Sequence, residues 1–104
     1  MYKIIITSSD SKDILRLISK KIVLKNFSPC CHIIKDAESF YLWDGKLKVD
    51  NESLLLIKSH NKNVSIIKMM ILEDHNYDVP EIIIHDFDII SENYKKWFDN
   101  CIGN

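Results

Sequence analysis

Cys30, Cys31 and Cys101, with His32, His60, His75 and His85, are the side chains of this chain best suited to hold a metal ion, because thiolate and imidazole are the ligands that copper and zinc favour. Cys30 and Cys31 are neighbours in a segment that reads as a strand, so their side chains leave on opposite faces and do not chelate one ion together. Cys30 stands as a candidate ligand, and the competing reading is a small buried core residue. Cys101 falls on the apolar stripe of a terminal helix and reads as packing. His75 lies just beyond a predicted helix and is the best single ligand candidate; the alternative is that it caps that helix through the last carbonyls and the dipole. His32, His60 and His85 are scattered and read as surface or sheet residues.

Catalytic patterns are thin. The chain has no glycine-rich phosphate loop, no G-x-S-x-G and no cysteine and histidine pair with a local nucleophile signature. Its only arginine, Arg16, falls inside a predicted helix, and Thr7 to Asp10 contains neither glycine nor arginine, so an acylphosphatase-type loop is missing. The expectation is a protein that is not an enzyme.

The 104 residues suit one domain, 1–104, with 46% hydrophobic and 28% charged residues, the balance of a packed globular chain. Fourteen basic and fifteen acidic side chains leave a formal charge of −1, which provides no field to draw the chain to nucleic acid or an anionic membrane. The opening MYKIIITSSD has only a short isoleucine run, too brief for a signal core or a spanning helix. Three cysteines, two of them adjacent, make a poor disulfide framework and suit reduced thiols. The expected compartment is therefore the cytoplasm.

The elements that must position these side chains follow from periodicity. Tyr2 to Thr7 is a β-branched run and predicts a strand. Ile14, Leu15, Ile18 and Ile22 recur at helical spacing behind possible caps at Ser9, Asp10 or Ser11. From Phe27 to Trp43 the spacing shifts towards two, with a polar interruption at Lys35, Asp36 and Glu38 that predicts a bulge or bend. Asp44-Gly45 is a hairpin signal, and Lys46 to Lys58 returns as a second long strand. A second helix over His60 to Asp74, capped by Ser59, Asn61 or Asn63, precedes a strand at Glu81 to Phe87 and a terminal helix at Ser91 to Cys101. Val79-Pro80 fixes the approach to that last strand.

The order βαββαβ, then α, is that of an α+β ferredoxin-like sandwich with a long central hairpin and a C-terminal helix. A fifteen-residue helix rises roughly 22 Å, but a strand of that length reaches roughly 50 Å. The hairpin must outrun its helices, and its aromatic end (Phe40, Tyr41, Trp43) needs a cover that a closed homo-oligomer provides.

Four segments carry a family resemblance: SFYLWDGKLKVDNESLLLIKS at Ser39 to Ser59, HNYDVPEI at His75 to Ile82, YKKW at Tyr94 to Trp97, and FSPCCHI at Phe27 to Ile33. In order and spacing they resemble the CutA divalent-cation tolerance family. The resemblance implies a PII-like homotrimer whose hairpins pair between subunits, a link to metal-ion tolerance with copper or another divalent cation as ligand, and no established reaction. The copper ligands it implies are a first-strand cysteine and paired histidines after the second helix; the matching positions are Ile6, Asp74 and His75, so His75 alone of that set is present.

In such a trimer, Tyr41, Trp43 and Lys58 of one subunit would face His75, Tyr77 and Glu81 of another, an arrangement of aromatic and polar groups suited to a small molecule. The competing reading is that Tyr41 and Trp43 only pack the interface, while Lys58 pairs with Glu52 or Glu81. Two functions follow: a homotrimer that responds to divalent metal ions through His75 and Cys30, or a PII-like sensor of a small anion in the cleft.

Overall fold

The computed structural model describes residues 1–102. Tyr2–Ser9 forms β1, Lys12–Leu24 α1, Cys30–Trp43 β2, Lys46–His60 β3, Val64–Asp74 α2, Ile83–Phe87 β4 and Glu92–Cys101 α3. The four strands make one antiparallel sheet in the order β2-β3-β1-β4. This is the expected α+β ferredoxin-like arrangement, because each helix crosses over to return the chain to a strand not adjacent to the last.

Side-chain alternation assigns the two faces. Ile5 pairs with Ile57, and Thr7 with Leu55; all four are buried, on the face that receives the helices. Against them lie Leu15, Ile18 and Ile22 of α1 and Ile67, Met70 and Ile71 of α2, which complete the core. The opposite face is covered at one end by α3. There Phe98, fully buried, meets Tyr2 edge to face at 5.4 Å, and Tyr2 stacks on Phe87 at 5.6 Å.

Local chemistry fixes the element boundaries. Ser11 caps α1 by accepting the Ile14 amide at 3.3 Å. The helix stops at Leu24, and Asn26 beyond it takes a φ of +62° that supports a Schellman turn: Phe27 N–H donates to the Ile22 carbonyl and Asn26 N–H to that of Val23. Because Phe27 belongs to this turn, β2 starts at Cys30, three residues later than the periodicity suggested. Helix two also begins later, at Val64, behind a 3-10 turn at Asn61–Asn63. Two of its expected side-chain caps are otherwise engaged. Ser59 Oγ and Asn63 Nδ2 both donate to the Phe27 carbonyl and pin the α1–β2 connection, while His60 Nδ1 accepts the Lys62 amide and caps the 3-10 turn.

The hairpin outruns the rest as expected, and the chain is 47 Å along its longest axis. β1 ends at the pair Ser9 and Ser53, so the pairs from Ala37–Glu52 to Trp43–Lys46 form a two-stranded ribbon without a third strand. The register shifts between Ile34 and Ala37, where Asp36 takes a φ of +62°, the bulge anticipated from the polar interruption. Asp44 and Gly45 close the tip with φ of +52° and +75°, the primed turn that needs both central residues left-handed.

Ile71 is fully buried between the sheet and α1. Ile71→Ala is expected to lower the unfolding free energy by about 2–5 kcal/mol, read as a lower urea midpoint at unchanged slope.

Candidate functional site

The segment after α2 is tied down where β1 runs into α1. His75 N–H closes the helix on the Ile71 carbonyl at 2.9 Å, but the imidazole turns to β1. Its Nε2 lies 2.7 Å from the Ser8 carbonyl oxygen, which can only accept, so Nε2 carries the hydrogen. Nδ1 accepts the Tyr77 amide at 3.0 Å. Both ring nitrogens are thus engaged within the chain, and the side chain is a clamp between β1 and the loop. The capping role weighed for His75 belongs to its backbone.

Tyr77 and Asn76 extend the clamp. The Tyr77 hydroxyl donates to Glu52 Oε2 at 2.7 Å and accepts the Asp10 amide at 2.8 Å. Asn76 accepts from Ser9 Oγ at 2.6 Å and donates to Asp10 Oδ1 at 2.8 Å, and Ser9 Oγ in turn accepts the Ser11 amide. Glu52 is only 8% exposed, and Tyr77 gives its buried oxygen a donor. Burial, with the hydrogen bond to Glu52 next, raises the Tyr77 hydroxyl well above the ordinary phenol range.

The single chain therefore brings His75, Tyr77 and Glu52 together and leaves the other candidates elsewhere. Tyr41 donates to Asp50 on the hairpin, which raises its own pKa. Trp43 is 55% exposed at the tip. Glu81 is exposed just ahead of Ile83, which shares a row with Ile6 and Leu56; the ten residues from Leu56 to Trp43's partner Lys46 span roughly 33 Å. Lys58 does not pair with Glu52, since six strand residues separate them by roughly 20 Å; its Nζ sits 5.8 Å over the Tyr94 ring instead.

The metal candidates are also apart. Cys30 pairs with Lys58 in a row with Ile4, four residues, roughly 13 Å, along β1 from the Ser8 that His75 holds. Among the described residues, no group of three or more histidine, cysteine, aspartate or glutamate side chains is placed to hold a metal ion. Ile6 lies between Leu56 and Ile83 on the sheet, and Asp74 is taken up by an ion pair with Lys21 at 2.8 Å that ties α2 to α1. Sequence reasoning missed Ser9, Asp10 and Asn76 as loop anchors. Their only signal was a run of short polar residues at each turn, which fits many geometries.

The strap at His75 to Tyr77, the ribbon from Ser39, the helix carrying Tyr94 and Trp97 and the start of β2 are the segments in which the family resemblance resides. The family model described as CutA1 divalent ion tolerance protein matches residues 3–101. This chain belongs to that family. The Divalent-cation tolerance protein CutA of Pyrococcus horikoshii is 36% identical over 77 residues, covering 74% of this chain and 76% of that protein. Its counterpart in Thermus thermophilus is 28% identical over 103 residues, 99% of this chain and 100% of that protein. A solved Thermus thermophilus structure superposes with a TM-score of 0.91 at 27% identity, covering 99% of this chain and 100% of the other. The chain spans about half the length of the chloroplastic CutA proteins of Arabidopsis thaliana and Oryza sativa, 48% and 51%. None of these names indicates an enzyme. No helix among the described residues is long and apolar enough to cross a membrane.

Tyr77→Phe leaves the Glu52 oxygen buried without its donor and is expected to lower stability by about 1–3 kcal/mol in urea unfolding. The raised hydroxyl also sets a sign with pH. A tyrosine raised in the folded state stabilises it fully below the ordinary value of about 10 and loses that contribution as pH climbs through the folded value. Wild-type urea midpoints should therefore fall in the alkaline range, and Tyr77→Phe should flatten part of that fall.

Proposed function

We propose that this CutA-family chain acts as a homotrimer in the response to divalent metal ions, by binding rather than by catalysis. The observation that carries this reading is the apolar face of the hairpin ribbon. Phe40 pairs with Val49 and Leu42 with Leu47, so all four share one face; all are exposed, Leu42 by 72%. Two-stranded ribbons are marginal in water, and a contiguous exposed apolar face of this kind calls for a partner surface. Copies of the same ribbon around a closed axis would provide it. The metal role is supported by the names of the relatives, which are divalent-cation tolerance proteins, and copper stands as a candidate ion. Three free cysteines suit a reducing compartment such as the cytoplasm.

The anion-sensor alternative is less well served. The hydroxyls of Tyr77 and Tyr41 donate to the carboxylates of Glu52 and Asp50, Lys48 stands across the ladder from Tyr41, and Lys58 is held at Tyr94.

Light scattering on the eluting protein should give three times the 12.2 kDa chain mass, and Leu42→Asp should reduce it towards a single chain. A wild-type monomer at micromolar concentration would overturn the assembly. Equilibrium dialysis against Cu(II) and Zn(II) tests the metal role. Retention of neither ion would remove it and leave the trimer standing.

A further inference from the structure

The strand β2 brings together a thiol and an imidazole. Cys30 and His32 are two residues apart, so they leave the sheet on the same face, and Cys30 Sγ lies 3.3 Å from His32 Nε2. We infer that Cys30 and His32 form a two-ligand site for a thiophilic ion, Zn(II) or Cu(I), at the edge of the sheet.

Distance and donor type both support the assignment. Ligands at about 2.3 Å for sulfur and about 2.0–2.1 Å for nitrogen on a tetrahedral ion stand roughly 3.5 Å from each other, close to the separation already present. A thiolate with an imidazole selects zinc or copper over the hard ions magnesium and calcium, which need oxygen. Binding exchanges one proton for the ion: the Cys30 S–H bond breaks, an S–metal bond forms, and the proton leaves to solvent, while the His32 lone pair completes the chelate. In the single chain β2 is an outer strand and His32 is exposed, so the remaining positions on the ion are left for ligands from outside the chain.

The surroundings explain why this pair and not its neighbours. Cys31 points to the helix side, where burial pushes its thiol up to about 11. His75 has both nitrogens committed. Lys58, the cross-strand partner of Cys30, would repel a cation, but its ammonium is drawn over the Tyr94 ring. Leu56, across from His32, brings no charge.

The biological meaning of the site rests on the metal-response reading, and the test separates the two. Co(II), a zinc surrogate, should give a thiolate charge-transfer band with the wild type at one ion per chain, lost in Cys30→Ser and kept in Cys101→Ser. Zn(II), read by competition with Co(II), and Cu(I), read by competition with a chromophoric chelator, should bind about tenfold or more weaker to His32→Ala. Iodoacetamide labelling of the wild type, located by mass spectrometry, should be blocked at Cys30 by Zn(II), so the result stands even if a variant folds poorly. Ion binding indifferent to Cys30→Ser and His32→Ala but lost in His75→Ala would overturn this site and spare the metal role. Absence of binding in every variant, Cu(II) included, would overturn both.

Discussion

A strand advances about 3.3 Å per residue where a helix advances about 1.5 Å, and that ratio shapes this molecule. β2 and β3 have 14 and 15 residues against 13 and 11 in the helices they share the sheet with. Over the length of the helices the sheet has a covered face, and Ile5, Leu55 and Ile57 are buried there. Beyond Ser9 and Ser53 there is no helix to cover it, so Phe40, Leu42, Leu47 and Val49 face water. The exposed ribbon is a consequence of strand length, and an assembly that buries it uses surface the single chain is unable to satisfy.

The boundary between covered and bare sheet is where the polar strap sits. β1 stops there, α1 starts and α2 ends, so backbone groups from three elements lose their regular partners at one place. His75 and Tyr77 supply replacements for the Ser8 carbonyl and the Asp10 amide, Ser9 for the Ser11 amide, and Asn76 joins the Ser9 and Asp10 side chains. The same bonds bring the Glu52 oxygen a donor at the base of the ribbon. The loop that reads in the sequence as a ligand-bearing motif is thus first a structural joint. Its histidine faces inward because the carbonyl of Ser8 needs a donor.

Much of the fold was legible in the residues. The isoleucine and leucine spacing located α1, the Asp44-Gly45 pair located the turn, and the polar break at Lys35 and Asp36 located the bulge, since each depends on neighbours within a few positions. What failed depended on distant partners. Asn63 and Ser59 looked like helix caps but bond the Phe27 carbonyl from across the chain. Lys58 looked like a partner for a carboxylate but rests on Tyr94, more than thirty residues later. Strand alternation alone puts Cys30 and His32 on one face, but their 3.3 Å separation belongs to the folded chain.

By itself the sequence determined the order of elements, the length mismatch and the family, because periodicity, turn chemistry and spaced motifs are properties of the chain read in line. The tertiary structure decided which polar groups meet. A hydrogen bond or a metal chelate depends on ångström-scale separation between atoms whose positions are set by every element packed around them. Only the packed structure commits both nitrogens of His75 and sets the Cys30 thiol beside His32.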